Sequence, residues 1–249
     1  MRFILALLCV LAAAGSAAAA DLKLLTTTTF QPAVTALLPE FEKRTGHKVT
    51  IETDTASGLG DRMEMGEYFD VVVMTARVLD PYVGSRVAES SATPVARVGI
   101  GVAVKQGTPL PDISGIGAFR KAMLAARTIA YVDPASGASS GLYLEWLFDK
   151  LGIAAEIKPK TILVPGGALV TEKLTSGEAD IGLQQRSELV DVPGITLVGP
   201  IPLELQNYTL YLGGVSVATR HRAAADELLS MLANRKNNAL FKKLGLSES

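Results

Sequence analysis

Hydroxyl and amide side chains gather where short apolar runs give way to polar ones. Thr26-Thr27-Thr28-Thr29 follows the run Leu22 to Leu25, Ala56-Ser57-Gly58 follows Lys48 to Thr53, and Thr75-Ala76-Arg77 closes Asp70 to Thr75. Farther along, Asp133-Pro134-Ala135-Ser136-Gly137-Ala138-Ser139-Ser140-Gly141, Pro165-Gly166-Gly167 and Gln184-Gln185-Arg186-Ser187-Glu188 occupy equivalent places. A lone Ser or Thr ahead of a helix is an N-cap, worth about 1 kcal/mol. Capping needs one hydroxyl, whereas Thr26 to Thr29 and Ser136 to Ser140 supply several. The clusters are therefore expected to converge on one cleft and cradle an anion, using hydroxyls and the free N–H groups at helix starts. The expected ligand-binding set is Thr27, Thr28, Ser57, Gly58, Thr75, Arg77, Arg97, Ser136, Ser139, Ser140, Gln184 and Gln185.

Charged residues discriminate between ligands. Arg77, Arg97 and Arg186 fall near strand ends or a crossover, and a guanidinium fork suits a carboxylate. Arg97 directly precedes an apolar run, which predicts a place near the cleft floor and about a tenfold loss of carboxylate affinity on Arg97→Ala. Glu188, if buried, is the candidate general base, with Tyr131 or Tyr143 as acid. Other chemistries lack their residues. His47 and His221 have no ligand spacing to another His, Cys or carboxylate, so no metal is expected. There is no G-x-S-x-G elbow and no phosphate loop, and Gly58-Leu59-Gly60 lacks the third glycine of a dinucleotide fingerprint, so no cofactor is expected either. Tyr143, Trp146 and Leu147 form a helical stripe that reads as core.

The elements that must position these residues alternate. Strands are predicted at Leu22 to Leu25, Lys48 to Thr53, Asp70 to Thr75, Val98 to Val104, Thr128 to Val132, Lys160 to Val164, Ala179 to Leu183 and Leu210 to Thr219. Helices are predicted over Phe30 to Thr45, Leu59 to Met65, Gly141 to Leu151, Ala168 to Ser176 and, as a closing pair, Ala223 to Leu244. Strands alternating with helices argue for an α/β protein with mainly parallel sheets. The break at Gly107 to Pro111 suggests a crossover between two lobes. Residues 21–96 and 206–249 are assigned to lobe I and 97–205 to lobe II.

Overall composition narrows the partners. The 249 residues carry 24 Lys plus Arg and 25 Asp plus Glu, a formal charge of −1, which gives no field for a polyanion and argues against nucleic-acid binding. Residues 1–20 read as a secretory signal peptide: a basic start at Arg2, an apolar run from Phe3 to Ala13, and Ala18-Ala19-Ala20 before Asp21. Cleavage after Ala20 would export the chain to the periplasm and remove its lone Cys9, leaving no disulfide or thiolate chemistry.

The segments FEKRTGHKV, ASGLGDRMEMGEYFDVVVMTARVLD, IAYVDPASGASSG and EKLTSGEADIGL resemble periplasmic solute-binding proteins of the molybdate-binding type, which serve ABC importers. The resemblance spans the mature chain. It implies a type II binding-protein fold, two α/β lobes on a two-segment hinge closing on a small anion, with contacts at Thr27 or Thr28, Ser57, the Ser136 to Ser140 loop and Gln185, where a tyrosine is usual. Thr-Thr-Thr-Phe and Gln184-Gln185 depart from the molybdate pattern and are similar to a divergent branch that includes the periplasmic enzyme aconitate isomerase. Two functions follow as expectations. One is a monomeric binding protein that delivers a di- or tricarboxylate or an oxyanion to an importer. The other is a cofactor-independent isomerase that moves a double bond in aconitate by an allylic proton shift.

Overall fold

A computed structural model describes residues 19–247. The signal-peptide reading, including Cys9, lies almost entirely outside these residues. The chain runs β1 (Asp21–Thr27), α1 (Gln31–Thr45), β2 (Lys48–Asp54), α2 (Ala56–Glu64), β3 (Val71–Thr75), α3 (Ala76–Leu79), β4 (Thr93–Val98), β5 (Ile100–Lys105) and α4 (Ile116–Ala125). It continues through β6 (Ile129–Val132), α5 (Ser139–Lys150), α6 (Ala154–Ile157), β7 (Thr161–Val164), α7 (Gly167–Ser176), β8 (Ile181–Gln185) and β9 (Ile195–Pro200). It closes with β10 (Thr209–Val215), α8 (Arg222–Leu232), α9 (Asn238–Lys243) and β11 (Leu246–Ser247).

Two sheets result, ordered β11-β4-β10-β3-β1-β2 and β7-β6-β8-β5-β9. Alternate residues of the inner strands feed cores on opposite faces. Val71 and Val73 of β3 meet α1 and α8 residues such as Val34 and Leu228, while Val72 and Met74 meet Leu59 and Met63 of α2. In β6, Ile129 and Tyr131 pack with Leu144 and Phe148 of α5, while Ala130 and Val132 pack with Val170 and Leu174 of α7. Burial on both faces is why these strands read as continuous apolar runs.

The pairs β1–β2, β1–β3, β6–β7 and β6–β8 are parallel, whereas pairs made by β4, β5 and β10 are antiparallel. Both sheets are therefore mixed, because the strands next to the two crossings run against the βα units. The run Val98 to Val104, expected as one strand, is divided at Gly99 between β4 of one sheet and β5 of the other. The second crossing lies between Pro200 and Thr209. Gln206 ties the crossings together, accepting from Ile100 N at 2.7 Å and donating to Ile100 O at 2.9 Å. A side chain on Gly99 would collide with that amide. Ala56-Ser57-Gly58, expected as a turn, forms the first turn of α2, with Thr55 as its N-cap. Trp146, expected in the core, is 50% exposed, while Leu147 beside it is buried.

Candidate functional site

The carboxyl ends of β1, β2, β3, β6, β7 and β8 point toward one cavity of about 230 Å³ between the two sheets. Three helices of nine or more residues begin at its wall. Thr55 and Ala56 start α2, Ala138 and Ser139 start α5, and Gly166 and Gly167 start α7. Thr55 caps α2 by accepting from Gly58 N, but no side chain caps α5 or α7. Uncapped starts leave N–H donors and about half an elementary positive charge each toward the cavity. The strand ends of the first sheet add Thr27, Thr28, Thr29 and Thr75, and the second sheet with the start of α5 adds Ser140, Gln184 and Gln185.

Several of these groups are buried and wait for a partner. Thr27 Oγ1 and Gln185 Oε1 make no hydrogen bond, although the two residues are 4% and 2% exposed. Such groups cost on the order of 1–3 kcal/mol each unless a ligand or water satisfies them. The Gln185 amide nitrogen is engaged, donating to Ser139 Oγ and Thr209 Oγ1 at 3.2 Å each. Among the described residues no lysine, arginine or histidine lines the cavity; its ionisable residues there are Asp54, Glu188 and Tyr211.

Glu188 closes the cleft. Its Oε1 accepts from Thr29 Oγ1 at 2.5 Å, and Ser187 Oγ donates to Thr29 O at 2.8 Å, so both contacts join the end of β8 to the end of β1. The other oxygen, Oε2, lies so near Gly167 that a Cβ there would overlap it. Glu188 is half-buried at the cavity wall, and no cation pairs with it among the described residues. Burial pushes its carboxyl up to about 7, against the opposing pull of the Thr29 hydroxyl. Tyr211 lies on β10 opposite Thr75, and burial foremost pushes its phenol up to about 12. The hydroxyls of Thr29 and Thr27 oppose that rise and the nearby Glu188 adds to it. Thr27 Oγ1 is close to the phenol but makes no hydrogen bond of normal geometry.

The structure thus brings together Thr27, Thr28, Thr75, Ser139, Ser140, Gln184, Gln185 and Glu188. It leaves others outside. Ser57 bridges the lobes, donating to Gly137 O at 3.3 Å, and Gly58 spends its N–H on Thr55. Ser136 donates to Asp133 O within its own turn. Arg97 alternates outward between buried Ala96 and Val98, with its guanidinium 4.9 Å from the centre of the Tyr208 ring, and so is not on the cleft floor. Arg186 turns its stem against Gly101. Tyr131 is a core residue packed edge-on to Phe148, and Tyr143 donates to Leu205 O, so neither faces Glu188 across the cavity. Tyr211 was not singled out from the sequence. The antiparallel partner of Thr75 would have found it, but that register is not visible in one chain.

The model of the family described as bacterial extracellular solute-binding protein matches residues 22–247. Among curated proteins, an aconitate isomerase from Pseudomonas sp is 37% identical over 218 residues, covering 84% of this chain and 80% of that protein. Among solved structures, the Azotobacter vinelandii periplasmic molybdate-binding protein superposes with a TM-score of 0.78 at 18% identity, covering 92% of this chain and 99% of that one. The sulfate-binding protein SubI from Mycobacterium tuberculosis H37Rv gives 0.71 at 15% identity, covering 91% and 86%. These likenesses at low identity establish a shared type II binding-protein fold.

Proposed function

The chain belongs to the bacterial extracellular solute-binding protein family, and from that premise we propose that its cleft isomerises a small unsaturated polycarboxylate of the aconitate class. The observation that carries this reading is the place of Glu188, a carboxyl without a cationic partner among the described residues on the wall of a cavity between the two sheets, where burial pushes it up to about 7. A cleft built only to hold an anion gains nothing from a second negative charge. A general base is most effective when its pKa lies near the working pH.

The chemistry needs no oxidant and no leaving group. Glu188 in its carboxylate form takes a proton from the methylene carbon beside the double bond, and the C–H electron pair becomes the new double bond. The old π pair forms a C–H bond at the far allylic carbon with the proton that Glu188 returns. Substrate and product are isomers, and the enzyme regains its starting protonation. The carbanionic intermediate spreads its charge onto the substrate carboxylates, where the uncapped starts of α5 and α7 and the hydroxyls of Thr27, Ser139 and Ser140 would stabilise it. Thr29 holds Glu188 in place through a hydrogen bond that joins the end of β1 to the segment after β8.

A second reading, a periplasmic binding protein that delivers such an anion to an ABC importer, is favoured by the family itself. In its protonated form Glu188 would donate a hydrogen bond to a bound carboxylate. One experiment separates the two: the protein is incubated with trans-aconitate or cis-aconitate and followed by proton NMR. Appearance of the other isomer supports the isomerase. A thermal shift with these acids and no interconversion supports the binding protein.

A further inference from the structure

A second chamber of about 450 Å³ adjoins the cavity and shares two of its residues, Thr75 and Ser139. It opens to solvent beside the exposed side chains of Trp146, Tyr208 and Leu210. One wall is Arg77, at the start of α3 two residues beyond Thr75, with Asn207 and Tyr208 from the second crossing. The opposite wall is the face of α5 carrying Tyr143 and Trp146. Between the chambers stands Gln185, whose amide nitrogen holds both Ser139, common to the two, and Thr209, which lines only the outer one. Its carbonyl oxygen is buried without a partner, so the amide can turn without sacrificing a bond on that side.

The charges of the two chambers are opposite. Among the described residues the inner one is lined by Asp54 and Glu188 and no basic side chain, while the outer one has exposed Arg77 on its wall; Arg77 also borders the groove beside Glu64 and Tyr82 and forms no salt bridge among the described residues. The inner carboxylates repel an anionic substrate against the pull of the uncapped α5 and α7 starts, and on the outer chamber's wall Arg77 is the one cation among the described residues. We propose that Arg77 is a specificity-determining cation that captures a carboxylate of the substrate and guides it past Gln185 into the cavity. Arg97, stacked on Tyr208 from outside the chamber, holds the aromatic wall in place. The inference rests on the carboxylate-substrate reading above.

The test compares wild type, Arg77→Gln and Arg77→Lys by calorimetric titration with trans-aconitate and by KM and kcat at several salt concentrations. A guanidinium that captures and steers should, when neutralised, weaken affinity and raise KM by about tenfold, with kcat within about twofold and a flatter salt dependence of kcat/KM. Arg77→Lys should recover part of the loss, because it keeps the charge without the fork. Affinity, KM and salt dependence in Arg77→Gln that match wild type overturn the proposal. If the wild-type protein binds trans-aconitate without converting it, the isomerase reading fails and the calorimetric arm still decides the role of Arg77. If the wild-type protein does not bind trans-aconitate, the carboxylate premise falls, and this proposal with it.

Discussion

Glu188 and Glu67 are the same residue in opposite circumstances. Glu67 lies at the rim of lobe I, where Lys23 reaches it at 2.7 Å and Arg62 at 2.5 Å, both cations also pairing with Glu52. The Arg62 bond foremost, and Lys23 after it, hold the Glu67 carboxyl down at about 2 despite partial burial. Glu188 has one hydroxyl for company and is pushed up to about 7. Glu67 is thus a permanent anion that ties α2 to β1 and β2, and does no more than that. Glu188 is a group whose charge can change near neutral pH, placed on the wall of the cavity between the two sheets. Chemical potential in this molecule follows from the missing cation rather than from the presence of a carboxylate.

Removing each glutamate in turn should break the symmetry in different observables. The largest effect is expected from Glu188→Gln, which should lower kcat for aconitate interconversion by about 10²- to 10⁴-fold while the circular dichroism spectrum is retained. Retained turnover would exclude Glu188 as the base. The same variant should be more stable than wild type above pH 7. The folded protein holds the Glu188 proton more tightly than the unfolded chain does, so wild-type stability falls as pH rises from the ordinary glutamate range through about 7. Denaturant titrations at pH 5 and pH 8 should show Glu188→Gln abolishing that fall, by up to about 3 kcal/mol.

Next comes Gly167→Ala. Its methyl group would displace the Glu188 carboxylate and the Gln184 amide, and kcat should drop by roughly tenfold, the cost of a misplaced base. Glu67→Gln should do the converse. It should cost about 1 kcal/mol of stability at pH 7, in keeping with a partly exposed ion-pair network, and leave turnover unchanged. Because pairing lowers the Glu67 carboxyl, that stability is present above the ordinary glutamate range and is lost as pH falls toward about 2. The smallest effect is expected from Arg97→Ala, since Arg97 reaches the cleft only through Tyr208. Aconitate affinity should change by less than about twofold in calorimetry, against the tenfold that the bare sequence suggested.

The βα order and most of the hydroxyl cradle were legible because each has a local cause. Strands such as Val71–Thr75 and Ile129–Val132 are buried on both faces and so carry unbroken apolar runs. Thr27, Ser139 and Ser140 belong to clusters with more hydroxyls than capping requires. The illegible parts depend on distant partners. Whether residues 98 to 104 stay in one sheet is decided by what pairs with them, and the chain changes sheets at Gly99, where Gln206 approaches. Arg97 could have been turned outward by strict alternation with Ala96 and Val98, but a strand beginning at Val98 hid that pattern. Tyr211 and the isolation of Glu188 arise from packing between segments far apart in sequence, so no single segment records them. α4 carries little start signal, because the position before it is Gly115 and no side chain caps it.

The most direct test of the comparison is a carbon-13 NMR titration of the protein labelled at the glutamate side-chain carboxyl carbons, run on wild type, Glu188→Gln and Glu67→Gln. The account predicts one resonance with a midpoint near 7 that is missing in Glu188→Gln, and another still ionised down to about pH 2 that is missing in Glu67→Gln. Glutamate midpoints confined to the ordinary carboxylate range, or a midpoint near 7 that survives Glu188→Gln, would contradict it.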